Sequence, residues 1–231
     1  NVRGSSKNPG EFKKFQNYIG SKHKIDFTPL SPELTPEYMY NLETYIHDER
    51  IDVLVQTALI HAQFEMIHPF EDGNGRIGRL LIPLFLYYRE VLILPTFYMS
   101  QYFESDKNLY IKNLSNISKN NDYKSWIEYF LIGIIEQSEK NTEKAKELME
   151  IYSNIKNITS KEITSQFLIP MIDFMFKSPI FKISQLVRNL NMSKDRAYTL
   201  TQQLIDLGIL SCDDVIRNRT YFVNPILEKI L

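Results

Sequence analysis

The stretch that decides the fold runs His68-Pro69-Phe70-Glu71-Asp72-Gly73-Asn74-Gly75-Arg76-Ile77-Gly78-Arg79. It is a polar segment between two apolar ones, residues 51–66 and 74–89. The first apolar segment carries apolar side chains on nearly every face, which predicts a buried central helix. The second predicts another core helix. A polar loop on such a rigid scaffold is a favoured place for a functional site.

The start of the second apolar segment has the residues of an anion site. Gly73 and Gly75 flank Asn74, so backbone N–H groups can converge there without a Cβ in the way, with a helix dipole behind them. A phosphate group fits such a site. Arg76 and Arg79 are three residues apart on the first helical turns, so both can flank a polyphosphate.

Two further residues of the loop add chemistry to the phosphate site. Asp72 offers a hard oxygen ligand for Mg²⁺ that bridges phosphates. His68 lies at the end of the preceding helix, where an imidazole can accept a proton from an incoming hydroxyl. The pattern therefore predicts attack of a hydroxyl on a nucleotide phosphate, promoted by positioning and charge stabilisation.

Blander interpretations of the same residues remain open. The loop can be a polar turn between two core helices, or an inactive copy of a catalytic loop, although each position that the chemistry needs is intact. His61, Glu65 and His68 follow one another at i, i+4 and i+7, a spacing that permits a metal site on one helix face. We favour His61 and Glu65 as helix residues near the site.

The loop resembles the signature H-P-F-x-D-G-N-G-R-x-x-R of Fic-family proteins and matches it at every specified position. A motif of this length is far more specific than a short glycine pattern. The resemblance continues upstream through Pro9-Gly10-Glu11-Phe12 and 16–20, and downstream to Trp126. It therefore covers about residues 9–137. It implies a mainly α Fic fold with a β-hairpin flap, and transfer of AMP from ATP to a Ser, Thr or Tyr hydroxyl of a protein, with release of pyrophosphate.

The resemblance also implies a role for each residue of the loop. His68 is the base, Asp72 holds Mg²⁺, and Phe70 anchors the loop in the core. Arg76 and Arg79 grip the β and γ phosphates. The residues implied in ATP and phosphate binding are Asp72, Gly73, Asn74, Gly75, Arg76, Gly78 and Arg79.

Two implied contacts lie outside the loop. The flap that docks the target by strand addition corresponds to Ile19, Gly20, Ser21 and Lys22, in a hairpin expected from 15–19 and 24–27. Tyr110 matches a position that contacts the nucleoside.

Relatives are often restrained by an inhibitory helix with the pattern Ser/Thr-x-x-x-Glu-Gly/Asn. The nearest match here, Ser100 to Glu104, departs from that pattern at Ser105. We expect that the inhibitory helix lies in a missing N-terminal part, is supplied by another chain, or is absent.

The rest of the chain predicts a second domain. We expect helices at 35–48, 105–118, 122–137 and 141–157, the last as a charged linking helix, so that the catalytic domain spans 1–157. Residues 158–231 predict helix 162–176, strand 181–183, helices 184–190 and 193–207, and strands 209–212 and 220–223, which resembles a winged helix. We expect this domain to contact DNA or, preferably, protein. In its helix 193–207 the negative charges of Asp195 and Asp206 offset the positive charges of Lys194 and Arg196. In the turn between its last two strands, Asp213 and Asp214 likewise lie near Arg217 and Arg219 in sequence.

Composition narrows the class of protein. The 231 residues carry a net charge of −1, which argues against a polybasic protein that binds nucleic acid along its whole surface. They are 43% hydrophobic, which argues against a disordered chain. The longest apolar run, 80–88, is too short to span a membrane. With Cys212 as the only cysteine, no intrachain disulfide forms, so we expect a cytoplasmic protein without membrane contact. The chain starts at Asn1 rather than Met, which suggests an internal fragment.

Several alternatives stay open at this point. The group transferred to the target can be another phosphate-bearing group, such as UMP or phosphocholine, in place of AMP. The chain can instead be a DNA-binding regulator whose Fic part senses nucleotide. Neutral charge and surface aromatics permit a homodimer.

Overall fold

The structure, a computed structural model, describes residues 8–21, 24–215 and 218–230. The chain divides into two compact units, Asn1–Glu139 and Lys140–Leu231. The fold is mainly helical with short antiparallel strands, as expected. In the described part of the chain, no helix is long and apolar enough to cross a membrane.

The first unit is a hairpin followed by packed helices. Its elements are β1 (Ile19–Ser21), β2 (Lys24–Phe27), α1 (Thr35–Ile46), α2 (Val53–Ile67), α3 (Asn74–Tyr88), α4 (Ser100–Ser105), α5 (Lys107–Asn120) and the first part of α6 (Tyr123–Glu162).

The predicted central helix is confirmed as α2. Asp52 caps its N-terminus by accepting hydrogen bonds from the N–H groups of Leu54 (2.9 Å) and Val55 (3.1 Å). Small residues on one side, Ala58 and Ala62, pack with the aromatic cluster around Trp126, and Trp126 Nε1 donates to Ala58 O at 2.9 Å. The other side packs against α1 and α3. α2 is thus buried from both sides and gives the site a rigid base.

Two helix predictions are wrong in their boundaries. The helix expected at 105–118 is α5, which begins two residues later because the Asp106 carboxylate accepts from Leu109 N (2.9 Å) and caps it. The short helix α4, which ends at Ser105, was not expected. The helices expected at 122–137 and 141–157 are one continuous helix of 40 residues, α6. Ser138 to Asn141 contains neither Gly nor Pro, so nothing local ends the helix there.

The unit boundary differs from the expected one at 157/158. Leu148, Ile151, Tyr152 and Ile155 pack with the apolar cluster of the second unit. The segment expected as a linking helix therefore belongs to the core of the C-terminal unit, because its apolar side chains are buried there.

The second unit combines helices with a small antiparallel sheet. After the end of α6, its elements are α7 (Leu168–Lys177), β3 (Ile180–Lys182), α8 (Ile183–Leu190), α9 (Lys194–Asp206), β4 (Leu210–Cys212), β5 (Thr220–Val223) and α10 (Asn224–Ile230). The strand order is β3-β5-β4, with Phe181 opposite Tyr221 and Ser211 opposite Phe222. The helix expected at 162–176 instead begins at Leu168.

The turns of the second unit follow the expected chemistry. Asn191, with φ of 48°, ends α8 in the left-handed conformation, and the Ser193 hydroxyl caps α9. Gly208, with φ of 72°, follows the end of α9. Arg217, which was expected in the turn between β4 and β5, lies outside the described residues.

Candidate active site

His68 is placed by the way in which α2 ends. It takes a left-handed conformation (φ 51°, ψ 60°), and its N–H still donates to Phe64 O at 2.8 Å. The following Pro69 has no N–H and cannot continue the helix. The chain therefore turns away at the end of α2, and the His68 side chain lies at the rim, 18% exposed.

Two amide side chains hold the loop after His68. Asn74 is 2% exposed, and its side chain accepts from Phe70 N (2.8 Å) and donates to Phe70 O (2.7 Å). Asn17 donates to both His68 O and Phe70 O at 3.0 Å. The Asn74 side-chain amide is thus occupied by the loop backbone, and the phosphate binding expected of this residue stays a prediction. Phe70, as expected, packs into an apolar cluster, near Phe64.

A buried lysine, Lys13, completes this support and was not singled out by the sequence. It is 3% exposed, and its ammonium donates to Ile67 O (2.9 Å) and to Asn17 Oδ1 (3.0 Å). Its N–H donates to Pro69 O at 2.8 Å. Burial lowers the pKa of Lys13 from 10.5 to about 8. Lys13 and Asn17 therefore act together on consecutive carbonyls at the end of α2.

The anion site lies at the start of α3. Gly73 precedes the helix in the left-handed conformation (φ 88°), and no side chain caps the helix end. The first N–H groups of a helix lack intrahelical acceptors, so this end attracts an anion. The Asp72 side chain is 33% exposed, and its Oδ1 accepts from Gly73 N at 2.8 Å.

The two arginines lie over successive glycines of this turn. Arg76 Nη2 is 3.8 Å from Asp72 Oδ2, and it would be 3.4 Å from a Cβ on Gly73. Arg79 Nη1 would be 3.4 Å from a Cβ on Gly75. Both guanidinium groups are therefore near the start of α3, as the spacing predicted.

Gly78 has a different place from the one expected. It is buried, and a Cβ there would collide with Glu65 Oε1 and approach Phe64 at 3.2 Å. Its carbonyl accepts from His61 Nδ1 at 2.9 Å. Gly78 therefore allows α3 to approach α2 closely, and the phosphate binding expected of it stays a prediction.

His61 is a buried structural residue beside the site. Its Nδ1–H donates to Gly78 O, so its Nε2 accepts from the Tyr110 hydroxyl at 3.0 Å. Burial lowers the pKa of His61, in keeping with this neutral form. Both ring nitrogens are engaged, which leaves neither lone pair for the metal site considered from the i, i+4, i+7 spacing.

A cavity of about 190 Å³ adjoins His68. The hairpin contributes Ile19 and Phe27, paired across β1 and β2, and α5 contributes Tyr110 and Ser115. The Tyr110 hydroxyl has a raised pKa because it is buried and near the Glu65 carboxylate. Gly20 and Ser21 lie in β1, whereas Lys22 lies outside the described residues.

Loss of the two hydrogen bonds between the Asn74 side chain and the Phe70 backbone should lower the stability of the fold. Asn74→Asp retains an acceptor for Phe70 N–H but places an oxygen against Phe70 O, and Asn74→Ala removes both bonds. We expect each to lower the free energy of unfolding by about 1–3 kcal/mol. Fluorescence of the buried Trp126, the only tryptophan, reports unfolding of this unit. The control Asn108→Asp, exposed in the first turn of α5, should change it by under about 0.5 kcal/mol.

Lys13 predicts a pH dependence of stability. Between pH 8 and 10.5 the unfolded chain keeps the Lys13 proton while the folded protein has released it. Unfolding then takes up a proton, so this group's contribution to stability rises with pH across that window. In urea titrations followed by Trp126 fluorescence, the difference between wild type and Lys13→Met should move in favour of wild type above pH 8. A difference that stays constant with pH would contradict the burial of this ammonium.

Comparison with known proteins agrees with this geometry. Residues 2–86 match the model of the Fic/DOC family. The chain is 33% identical over 113 residues to protein adenylyltransferase fic-1 of Caenorhabditis elegans, which covers 47% of this chain and 21% of that protein. It is 40% identical over 57 residues to the probable protein adenylyltransferase aq_aa38 of Aquifex aeolicus, covering 24% of this chain and 18% of that protein.

The chain thus spans about a fifth of the length of these curated relatives. Its fold is similar to that of a Fic family protein from Desulfovibrio desulfuricans G20, with a TM-score of 0.56 and 18% identity over 96% of this chain and 64% of the other. The part of the chain that carries the loop from His68 to Arg79 is therefore similar to the Fic/DOC family over residues 2–86.

Proposed function

We propose that the first unit transfers AMP from ATP to a Ser, Thr or Tyr hydroxyl of a target protein. The observation that carries this proposal is the joining of His68, the uncapped start of α3 and the guanidinium groups of Arg76 and Arg79 in one loop. Similarity to curated protein adenylyltransferases over 57 to 113 residues supports it.

The proposed reaction follows from the chemistry of these groups. The target hydroxyl attacks the α phosphorus of ATP, its proton passes to His68, and the bond to the bridging oxygen of the β phosphate breaks. AMP stays on the protein and pyrophosphate leaves. Arg76, Arg79 and the helix N-terminus hold the negative charge of the phosphates, which is the main requirement of phosphoryl chemistry.

Asp72 fits a Mg²⁺ ion that comes with the nucleotide. Its Oδ1 is already turned toward Gly73 N–H, while Oδ2 is 3.8 Å from Arg76 and partly exposed. Mg²⁺ usually takes one or two carboxylates together with substrate phosphates. When bound, the ion would neutralise phosphate charge, and Asp72 would be the residue that holds it.

The hairpin and the cavity suggest how the two substrates enter. We infer that the nucleoside uses the cavity beside Tyr110 and that the target segment pairs with the hairpin at Ile19 to Ser21. We propose a cytoplasmic location, where ATP is available for this reaction. UMP or phosphocholine transfer remains the alternative within the class.

Labelling experiments test the proposed activity. The chain, Mg²⁺ and a protein mixture should take up label from ATP labelled at the α phosphate and not at the γ phosphate. His68→Ala should lower incorporation by at least about 100-fold, because a general base contributes about 10²–10⁴. Asp72→Asn should raise the Mg²⁺ concentration required. His47→Ala, an exposed histidine beside Tyr88, is the matched control. Equal labelling by wild type and His68→Ala would contradict the assignment, and label from UTP alone would favour UMP transfer.

For the second unit we propose a winged-helix fold that contacts protein, in a partner or a second copy of this chain. Its α8 and α9, joined by a tight turn and followed by β4 and β5, support this fold. The cations of α9 face aromatic rings, with Lys194 Nζ 5.9 Å from the centre of Tyr198 and the Arg196 guanidinium 5.6 Å from that of Phe167. Asp195 and Asp206 balance their charge on the same helix.

DNA binding by the second unit is the rival and can be tested directly. Mobility shifts of mixed-sequence duplexes with the full chain should show no retardation between about 50 and 200 mM salt. Retardation that weakens steeply with salt would overturn the preference for protein contact and favour a DNA-binding regulator. Sedimentation of the same samples measures whether the chain forms a homodimer.

A further inference from the structure

Two buried polar atoms beside the catalytic loop lack a hydrogen-bond partner among the described residues. They are Oε1 of Glu65 and Nδ1 of His68. Glu65 is 7% exposed, so its carboxylate is largely removed from water. Buried polar atoms are nearly always paired, and an unpaired one costs about 1–3 kcal/mol. The buried Nδ1 of His68 is therefore the atom whose missing partner we seek.

The two residues already face each other. They are three positions apart at the end of α2, and Glu65 Oε2 is 3.6 Å from His68 Nδ1. This distance is too long for a hydrogen bond, which needs about 2.7–3.2 Å. A shift of about half an ångström would form one, and catalytic hydrogen bonds often tighten when substrate binds.

The rest of the environment keeps the carboxylate in place. Glu65 Oε1 packs against Gly78, where any Cβ would collide with it. A Cβ on Gly75 would lie between Glu65 Oε1 at 3.9 Å and Arg79 Nη1 at 3.4 Å, so the anion and the guanidinium border the same glycine. The other ionisable neighbours, His61 and Tyr110, hydrogen-bond to each other. Oε2 of the Glu65 carboxylate therefore faces His68 Nδ1, while Oε1 stays against Gly78.

We propose that Glu65 is a positioning residue that accepts the Nδ1–H of His68 and so presents His68 Nε2, unprotonated, to the target hydroxyl. The inference rests on the proposed transfer of AMP. When Nε2 takes up the hydroxyl proton, the imidazole becomes an imidazolium whose charge the Glu65 carboxylate stabilises. Similar carboxylates hold catalytic histidines in one tautomer on unrelated folds.

A merely structural role for Glu65 makes a different prediction. If the side chain only fills space beside Gly78, a residue of similar size should leave the His68 tautomer unchanged. Glu65→Gln keeps the shape and one neutral acceptor, whereas Glu65→Leu keeps the approximate volume and removes every acceptor. The two variants therefore separate volume from hydrogen bonding.

The tautomer of His68 can be measured without any enzymatic activity. Long-range ¹H–¹⁵N spectra of the full chain with labelled histidine, at about pH 8.5 where ordinary imidazoles are neutral, distinguish Nδ1–H from Nε2–H. His68→Ala identifies the signals. We expect the Nδ1–H form in wild type, a shift toward Nε2–H in Glu65→Leu, and an intermediate population in Glu65→Gln.

Kinetics of AMP transfer provide the second readout. Glu65→Leu should lower kcat by about 10- to 100-fold, with the KM for ATP within about twofold, because the residue orients the base rather than binding nucleotide. Glu65→Gln should recover part of that loss. Glu128→Gln, whose side chain is 61% exposed and faces Lys124, is the control and should match wild type. Trp126 fluorescence checks that each variant is folded.

Each outcome decides between the two roles. A predominant Nε2–H form in wild type, or the same tautomer in wild type and Glu65→Leu, would overturn the proposal. Loss of activity with an unchanged tautomer would likewise assign Glu65 a packing role. If Glu65→Leu fails to fold, the comparison of wild type with the near-isosteric Glu65→Gln carries the test. If wild type transfers no AMP, the proposed function fails, and the spectra still decide whether Glu65 holds His68.

Discussion

The conformation of the loop from His68 to Arg79 depends on the hydrogen bonding of a few backbone carbonyls. Where α2 ends, Ile67 O, His68 O and Phe70 O have left the helix and need donors. Lys13 supplies one to Ile67 O, Asn17 supplies His68 O and Phe70 O, and Asn74 also binds Phe70 O. An unpaired buried carbonyl costs about 1–3 kcal/mol, so these donors together favour a single loop conformation. The direction of His68 follows from that conformation.

The scaffold beneath the loop is held by polar contacts inside an apolar core. Trp126 donates to Ala58 O and His61 donates to Gly78 O, each at 2.9 Å. The first contact fixes α6 against α2, and the second fixes α2 against α3. Because the indole and imidazole rings also pack among aromatic side chains, displacing either one would break a hydrogen bond and open a cavity. This explains how α2 and α3 can carry a loop of defined geometry.

Charge is distributed locally rather than over the whole chain. Within a chain of net charge −1, two guanidinium groups, those of Arg76 and Arg79, lie over Gly73 and Gly75 at the start of α3. The partial positive charge of the helix N-terminus adds to their charge. Asp72 and Glu65 lie on two sides of this region, one partly exposed and the other buried. A nucleotide would thus meet two guanidinium groups and a helix N-terminus, with a carboxylate on each side of them.

Much of the site could be predicted from the sequence because its chemistry is local. The turn from His68 to Arg79 joins neighbours along the chain, so residue type and spacing determined the left-handed glycine, the helix start and the two arginines on one turn. Boundaries were harder to predict. Asp106 caps α5 two residues after the expected start, and α6 joins two expected helices, because capping and the absence of a helix-breaking residue decide where a helix begins and ends.

The sequence by itself determined the loop, the buried helices that flank it and most of the remaining elements, but it did not predict α4 or α10. Only the tertiary structure decided which residues support the loop: Lys13 and Asn17 from far upstream, the Asn74 amide turned to Phe70, Gly78 packed against α2, and Glu65 beside His68. The physical reason is that these roles arise from contacts between segments distant along the chain, or from which face of a helix is buried. Neither is specified by a residue's immediate neighbours.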